Sequence, residues 1–162
     1  MQISRHDLSA VAFITLALCA GPCAAQGQLG LNVYGFSYHL DREEAESRGQ
    51  DNEVNPGLGV RFRVPGDNFD SFLDGGIYRD SARNIAVYAG GGFFWKATER
   101  LRLGGAVAVL KSDTYNEGEA FVAPLPLIAY EWRKATLNVV YIPRIESVDT
   151  LNTLGFWLTI WR

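Results

Sequence analysis

From Leu29 onward the chain is a succession of short segments in which apolar and polar residues alternate, joined by connections that are alternately long and short. Alternation with a period of two is the mark of a strand with two unlike faces. Eight such segments can be read, at residues 29–39, 55–64, 72–79, 85–96, 101–110, 121–132, 136–143 and 153–161. The pattern is clearest late in the chain. Leu154, Phe156, Leu158 and Ile160 share one face, and Leu137, Val139 and Tyr141 share a face opposite Thr136 and Asn138. In the fifth segment Leu101, Leu103, Val107 and Val109 oppose Gly104, Ala106 and Ala108. The connections at 41–53, 80–84, 112–119 and 144–152 are longer, and those at 65–68, 97–100 and 133–134 are tight. Four longer loops at one end and three tight turns at the other define an up-and-down antiparallel sheet. With an even strand number the fold class predicted is all-β: an eight-stranded antiparallel transmembrane β-barrel of the outer-membrane type, with both termini on the periplasmic side. Helical periodicity is confined to the charged 41–53 connection.

The first residues predict how such a barrel would reach its membrane. Arg5 precedes an almost uncharged stretch from Leu8 to Gly21, Pro22 breaks it, and Cys23-Ala24-Ala25 supplies small residues for a signal peptidase. This reads as a secretory signal peptide over residues 1–25, leaving a single domain over 26–162 and a destination in the cell outer membrane after Sec-type export. Both cysteines, Cys19 and Cys23, lie in the leader, so the exported chain would have neither disulfide nor thiol chemistry. With 15 Lys plus Arg against 18 Asp plus Glu, no basic field exists to hold nucleic acid. No metal-binding cluster or nucleotide loop is present, so no cofactor is expected. A monomer is the expected state, and the competing class is a periplasmic or secreted β-sandwich.

Two groups of residues ask for more than a wall. Gly90, Gly91 and Gly92 are consecutive within the fourth strand, and Gly104, Gly105, Ala106 and Ala108 follow in the next. Glycine weakens a strand interior, so the space must be wanted. Two readings stay open: a cavity for a ligand, or tight packing against bulky interior side chains. Pro124 and Pro126 interrupt the sixth strand, Pro143 ends the seventh and Pro56 stands at the start of the second. Proline cannot donate to a ladder. Each therefore marks either a local opening of the wall toward lipid or a mere strand start or bulge.

After position 6 the chain has one histidine, His39, at the loop edge of the first strand. Asp80 and Ser81 stand at the same edge of the third. A histidine, a carboxylate and a hydroxyl at one rim can serve acyl transfer, though each is also an ordinary rim residue. The segments around them carry a resemblance. Tyr34-Gly35-Phe36-Ser37-Tyr38-His39, Gly76-Ile77-Tyr78-Arg79-Asp80-Ser81, Ala89-Gly90-Gly91-Gly92, Phe121-Val122-Ala123-Pro124-Leu125-Pro126 and Val140-Tyr141-Ile142-Pro143 resemble, in order and spacing, the PagP family of outer-membrane enzymes.

That resemblance implies a lipid A acyltransferase that moves a palmitoyl or similar chain from a glycerophospholipid donor to a lipid A acceptor. It implies His39, Asp80 and Ser81 as catalytic residues, Gly92 as the floor of an acyl-chain pocket, and Pro56, Pro124, Pro126 and Pro143 as borders of lateral openings. The alternative class is a structural or lipid-binding outer-membrane barrel with no turnover.

Overall fold

A computed structural model describes residues 27–148 and 150–162; the expected leader, residues 1–25, lies outside them. The strands are β1 (Gln28–His39), β2 (Val54–Val64), β3 (Phe69–Arg79), β4 (Ile85–Lys96), β5 (Leu101–Lys111), β6 (Phe121–Glu131), β7 (Ala135–Ile142) and β8 (Thr153–Trp161). Each pairs antiparallel with its neighbour in sequence, and β1 pairs with β8 to close the sheet. The eight-stranded antiparallel barrel expected from the alternation is the fold. One short helix, α1 (Arg42–Ser47), occupies the charged loop after β1.

The third strand begins three residues earlier than its pattern suggested, at Phe69. Asp70 breaks the apolar run there, but its carboxylate points into the barrel among Arg63, Lys96 and Arg102. An interior that is polar at this end hides the strand from a hydrophobicity reading.

The outward face is apolar. Leu31, Val60, Leu73, Val107, Ile128 and Leu158 are exposed around the circumference. A soluble protein does not expose so continuous a belt, whereas lipid tails cover it at no cost. Among the described residues no helix is long and apolar enough to cross a membrane. Here the strands cross, and pairing of β1 with β8 closes the sheet so that no strand is left as a free edge of an open sheet. At the end carrying the tight turns, Phe69, Trp95, Tyr130 and Trp132 are exposed where an interfacial aromatic girdle belongs.

The interior divides into two halves. Toward the tight turns Arg61 is 1% exposed. It is ion-paired with Asp74, donates to Asn138 Oδ1 at 2.7 Å, and lies over the Phe72 ring at 4.4 Å from its centroid. Asn32 donates to Asp74 at 2.8 Å and accepts from Thr159 at 2.7 Å, while Asn138 donates to Thr159 at 2.9 Å. These buried polar groups satisfy one another and fill the cross-section. Toward the long loops the interior is apolar and partly empty.

Candidate functional site

The site is built at the loop end by a slip in β1. Along that strand the inward positions are Asn32 and Tyr34, then Ser37 and His39, so the parity changes between Tyr34 and Ser37. Against β8, Tyr34 pairs with Trp157 while Phe36 pairs with Phe156, leaving Gly35 as one extra residue. Against β2, Tyr34 pairs with Gly57 and Phe36 with Val54, so Asn55 and Pro56 span the same break. Pro56 has no N–H to continue the ladder. A bulge re-aims every side chain beyond it. Ser37 and His39 thereby face the interior, where His39 is 3% exposed, and Phe36 and Tyr38 face outward.

Three elements meet at the His39 ring. Nε2 lies 2.8 Å from Ser81 Oγ, just beyond the end of β3. Nδ1 lies 2.9 Å from Thr153 Oγ1, the residue that pairs with His39 across the β1–β8 seam. Ser37 Oγ stands 3.4 Å from Ser81 Oγ. All four side chains are buried.

Asp80 is next to Ser81 in the chain but is turned away from the ring. One carboxylate oxygen accepts from the backbone N–H of Ala82 at 3.0 Å and of Asn84 at 2.9 Å. The other accepts from the hydroxyls of Ser112 and of Thr114, the latter at 2.6 Å. The two backbone donors close the 80–84 loop on itself, and the two hydroxyls tie it to the start of the loop after β5. Of the three candidate residues, two are brought together and the third organises the loops that carry one of them.

Beneath this group lies a cavity of about 120 Å³, room for far more than the ~10–15 Å³ of a single water. Its walls are mostly apolar, with Leu110, Phe121, Ala123, Leu125, Val140 and Trp157 among them, and Ser37, Ser81 and Thr153 at its polar end. Tyr34 and Tyr88 meet through their hydroxyls and border it, above the buried Arg61–Asp74 layer. Tyr115, from the loop after β5, also lines it, and burial pushes its phenol well above the usual range. It is therefore a neutral wall at any ordinary pH. The side-chain oxygen of Asn55, a lining residue, is buried without a hydrogen-bond partner.

The β6–β7 ladder runs from Glu131–Thr136 only to Leu127–Val140. Residues 121–126, Pro124 and Pro126 among them, pair with β5 alone. Cavity-lining Ala123 and Leu125 belong to this half-paired stretch. Pro143 follows directly on the last residue of β7, and Pro56 sits at the β1–β2 break.

Gly90 and Gly92 follow Tyr88 at successive inward positions of β4, and Gly91 faces outward. The cavity lining includes Tyr88 but not Gly92. A Cβ at Gly92 would collide with the Gly105 carbonyl oxygen and with Ala106 on β5. The close approach of the two strands is thus one reason for glycine there.

Thr153, Ser37, Ser112 and Thr114 are not singled out by residue type. Threonine and serine are common in strands and turns. Thr153 becomes special only once β8 is laid against β1, over 114 positions of chain.

The class this architecture defines is a membrane β-barrel whose fold is compatible with outer-membrane residence. Among solved structures, the chain is similar to one described as the de novo design of transmembrane β-barrels. The TM-score is 0.56 with 14% sequence identity, covering 85% of this chain and 96% of the designed one. At that identity the likeness concerns the fold alone. No protein-family model matches the chain, and no curated protein does.

Proposed function

We propose that the barrel is a lipid acyltransferase of the outer membrane, transferring a palmitoyl or similar chain from a glycerophospholipid to lipid A. The observation that carries this reading is the 2.8 Å hydrogen bond between His39 and Ser81, the latter a lining residue of a mostly apolar cavity. A base within reach of a hydroxyl is the minimum equipment of acyl transfer. A cavity closed by Tyr34 and Tyr88 suits a hydrocarbon chain whose ester remains near the rim. Each buried methylene would contribute about 0.8 kcal/mol to binding.

In this reading the donor's chain enters where β6 leaves β7 unpaired, beside Pro124 and Pro126, and the breaks at Pro56 and Pro143 border the other routes. Ser81 Oγ attacks the ester carbonyl carbon as its proton passes to His39 Nε2. The carbonyl π pair moves to oxygen, and Ser37 can donate to that oxygen. Collapse breaks the bond to the glycerol oxygen, which leaves with the proton from His39. A lipid A hydroxyl then displaces the acyl group by the same steps. Asp80 holds the loop on which Ser81 sits. The chain's reach is limited by the Tyr34–Tyr88 layer, with Gly92 two inward positions further down; a preference moved to shorter donors in Gly92→Ala would put the chain end at that glycine.

The second reading is a lipid-binding barrel without turnover. It is favoured by Asp80, whose carboxylate serves the loops and not the histidine. Mass spectrometry of lipid A from cells expressing wild type, His39→Ala and Ser81→Ala decides between them. The enzyme reading expects one added acyl chain in the wild type and none with either variant, each still folded. No added chain in the wild type leaves the binding barrel, and undiminished addition by His39→Ala removes His39 from the chemistry.

A further inference from the structure

We infer that Thr153 is a positioning residue that fixes the tautomer of His39 and so makes Nε2 the base toward Ser81. The inference deepens the acyltransferase reading and rests on it for its catalytic consequence.

The direction of each hydrogen bond follows from one carbonyl. Thr153 Oγ1 lies 2.9 Å from the backbone oxygen of Leu151, a residue only 2% exposed. A carbonyl oxygen can only accept, and a buried one left without a donor is costly. The single hydroxyl hydrogen of Thr153 is therefore drawn to Leu151. The oxygen then offers His39 Nδ1 lone pairs alone, across 2.9 Å. Nδ1 must carry the hydrogen and donate it. In a neutral imidazole Nε2 is then bare, and it accepts from the Ser81 hydroxyl at 2.8 Å. The chain of donors runs one way, from Ser81 to His39 to Thr153 to Leu151. The opposite tautomer would set the hydrogen of Nε2 against Ser81 and leave no base.

The end of this chain is itself anchored. The neighbouring Thr150 donates to Pro143 O at 2.9 Å and accepts from the Ile145 N–H at 2.8 Å. Asn152 accepts from the Tyr141 hydroxyl at 2.7 Å and donates to Asp41 at 2.9 Å. The Leu40 N–H donates to the Asn152 carbonyl at 2.9 Å, one residue beyond the His39–Thr153 pair. The Leu151 carbonyl is thus held from both sides, and it acts on the Ser81 hydroxyl through three hydrogen bonds in series. Asp80 cannot do this work, because both of its oxygens are occupied elsewhere.

The test compares wild type with Thr153→Val, which keeps the shape and removes the hydroxyl, and with Thr153→Ser, which restores it. His39 is the sole histidine after His6, so nitrogen NMR of the 15N-histidine-labelled barrel in detergent reports the ring directly. Wild type and Thr153→Ser should hold the hydrogen on Nδ1, and Thr153→Val should move it toward Nε2. Acyl transfer from a defined phosphatidylcholine to lipid A should fall in kcat by about 10²-fold or more in Thr153→Val, of the size a positioned base supplies. KM should change little, and Thr153→Ser should recover most of the rate. A wild-type ring protonated on Nε2, or a Thr153→Val ring still protonated on Nδ1 with the rate intact, overturns the inference. A tautomer that moves as expected in a barrel that transfers no acyl chain upholds the positioning role and defeats the acyltransferase reading.

Discussion

Asp80 shows how one residue can satisfy a motif and do a different job. A histidine-orienting carboxylate loses its purpose when converted to an amide, since the ring is then held in the wrong tautomer, a loss of ~10⁴ in a serine hydrolase. In this barrel the Asp80 carboxylate instead receives two backbone N–H groups and the hydroxyls of Ser112 and Thr114. In Asp80→Asn the amide oxygen can keep the two backbone donors, while the two hydroxyls, able to accept as well as donate, can turn to receive the amide hydrogens. Asp80→Asn should therefore retain transfer within about tenfold and leave the His39 tautomer unchanged. Asp80→Ala removes all four bonds, and should loosen the 80–84 loop and lose most of the activity while the barrel stays closed. Rates and a heat-modifiable gel shift for both variants test this. Equal, severe loss in Asp80→Asn and Asp80→Ala would give the carboxylate charge itself a part in the chemistry.

At the scale of the strand, the side chains beyond Tyr34 owe their direction to the one extra residue, Gly35. Its own position is undemanding, for nothing lies within 4 Å of where a Cβ would be. Gly35→Ala should therefore be nearly silent. Deletion of Gly35 should be drastic, because a one-residue slip exchanges the two faces of a strand. His39 and Ser37 would turn to lipid, and Phe36 and Tyr38 would crowd the cavity. Transfer should vanish in the deletion and persist in Gly35→Ala; activity surviving the deletion would mean that the bulge had re-formed elsewhere. The same bulge marks the limit of what the residues alone disclose. Alternation in 101–110, 136–143 and 153–161 identified strands, and the structure puts Leu103, Leu158 and Ile160 on the exposed face as that alternation requires. Loop lengths identified the two ends. His39 and Ser81 were legible as chemistry-bearing residues at one rim. Their inward aim was not, because a strict period of two through Tyr34 sends His39 outward. Thr153 was not legible either, since its role depends on the barrel-closing register. Asp80 is legible in the sequence only by its place at the end of the third strand, since its partners, Ser112 and Thr114, come from a loop with no distinguishing pattern.

Taken whole, the molecule is a membrane barrel filled at one end and hollow at the other, and the filling is ionic. Arg61, buried between the rings of Phe72, Phe94 and Trp157, has Asp74 as its counter-charge. The layer it forms with Asn32, Asn138 and Thr159 separates the cavity from the turn end, where Arg63 and Arg102 meet Glu131 at 2.8 and 2.9 Å. A blind cavity of this kind can hold a chain by its end, whereas an open lumen would conduct. Its closure has a thermodynamic signature. Removing one partner of a buried pair strands the other charge, at a cost of about 3–5 kcal/mol, while replacing both by apolar groups of similar volume is often neutral or stabilising. Asp74→Ala should therefore lower the unfolding free energy in detergent by about 3–5 kcal/mol. It also deprives Asn32 of the nearer of its two acceptors, leaving the Tyr34 hydroxyl at 3.3 Å. The double variant Arg61→Met, Asp74→Leu should recover much of that loss, although Asn138 Oδ1 then lacks its guanidinium donor. Urea unfolding followed by tryptophan fluorescence, with Trp157 beside the guanidinium as reporter, measures all three proteins. A small effect of Asp74→Ala would mean that water reaches Arg61 from the turn end, and the lumen would then be open where the packing closes it. A double variant no more stable than Asp74→Ala would assign the stability to the wider hydrogen-bonded layer and not to the ion pair.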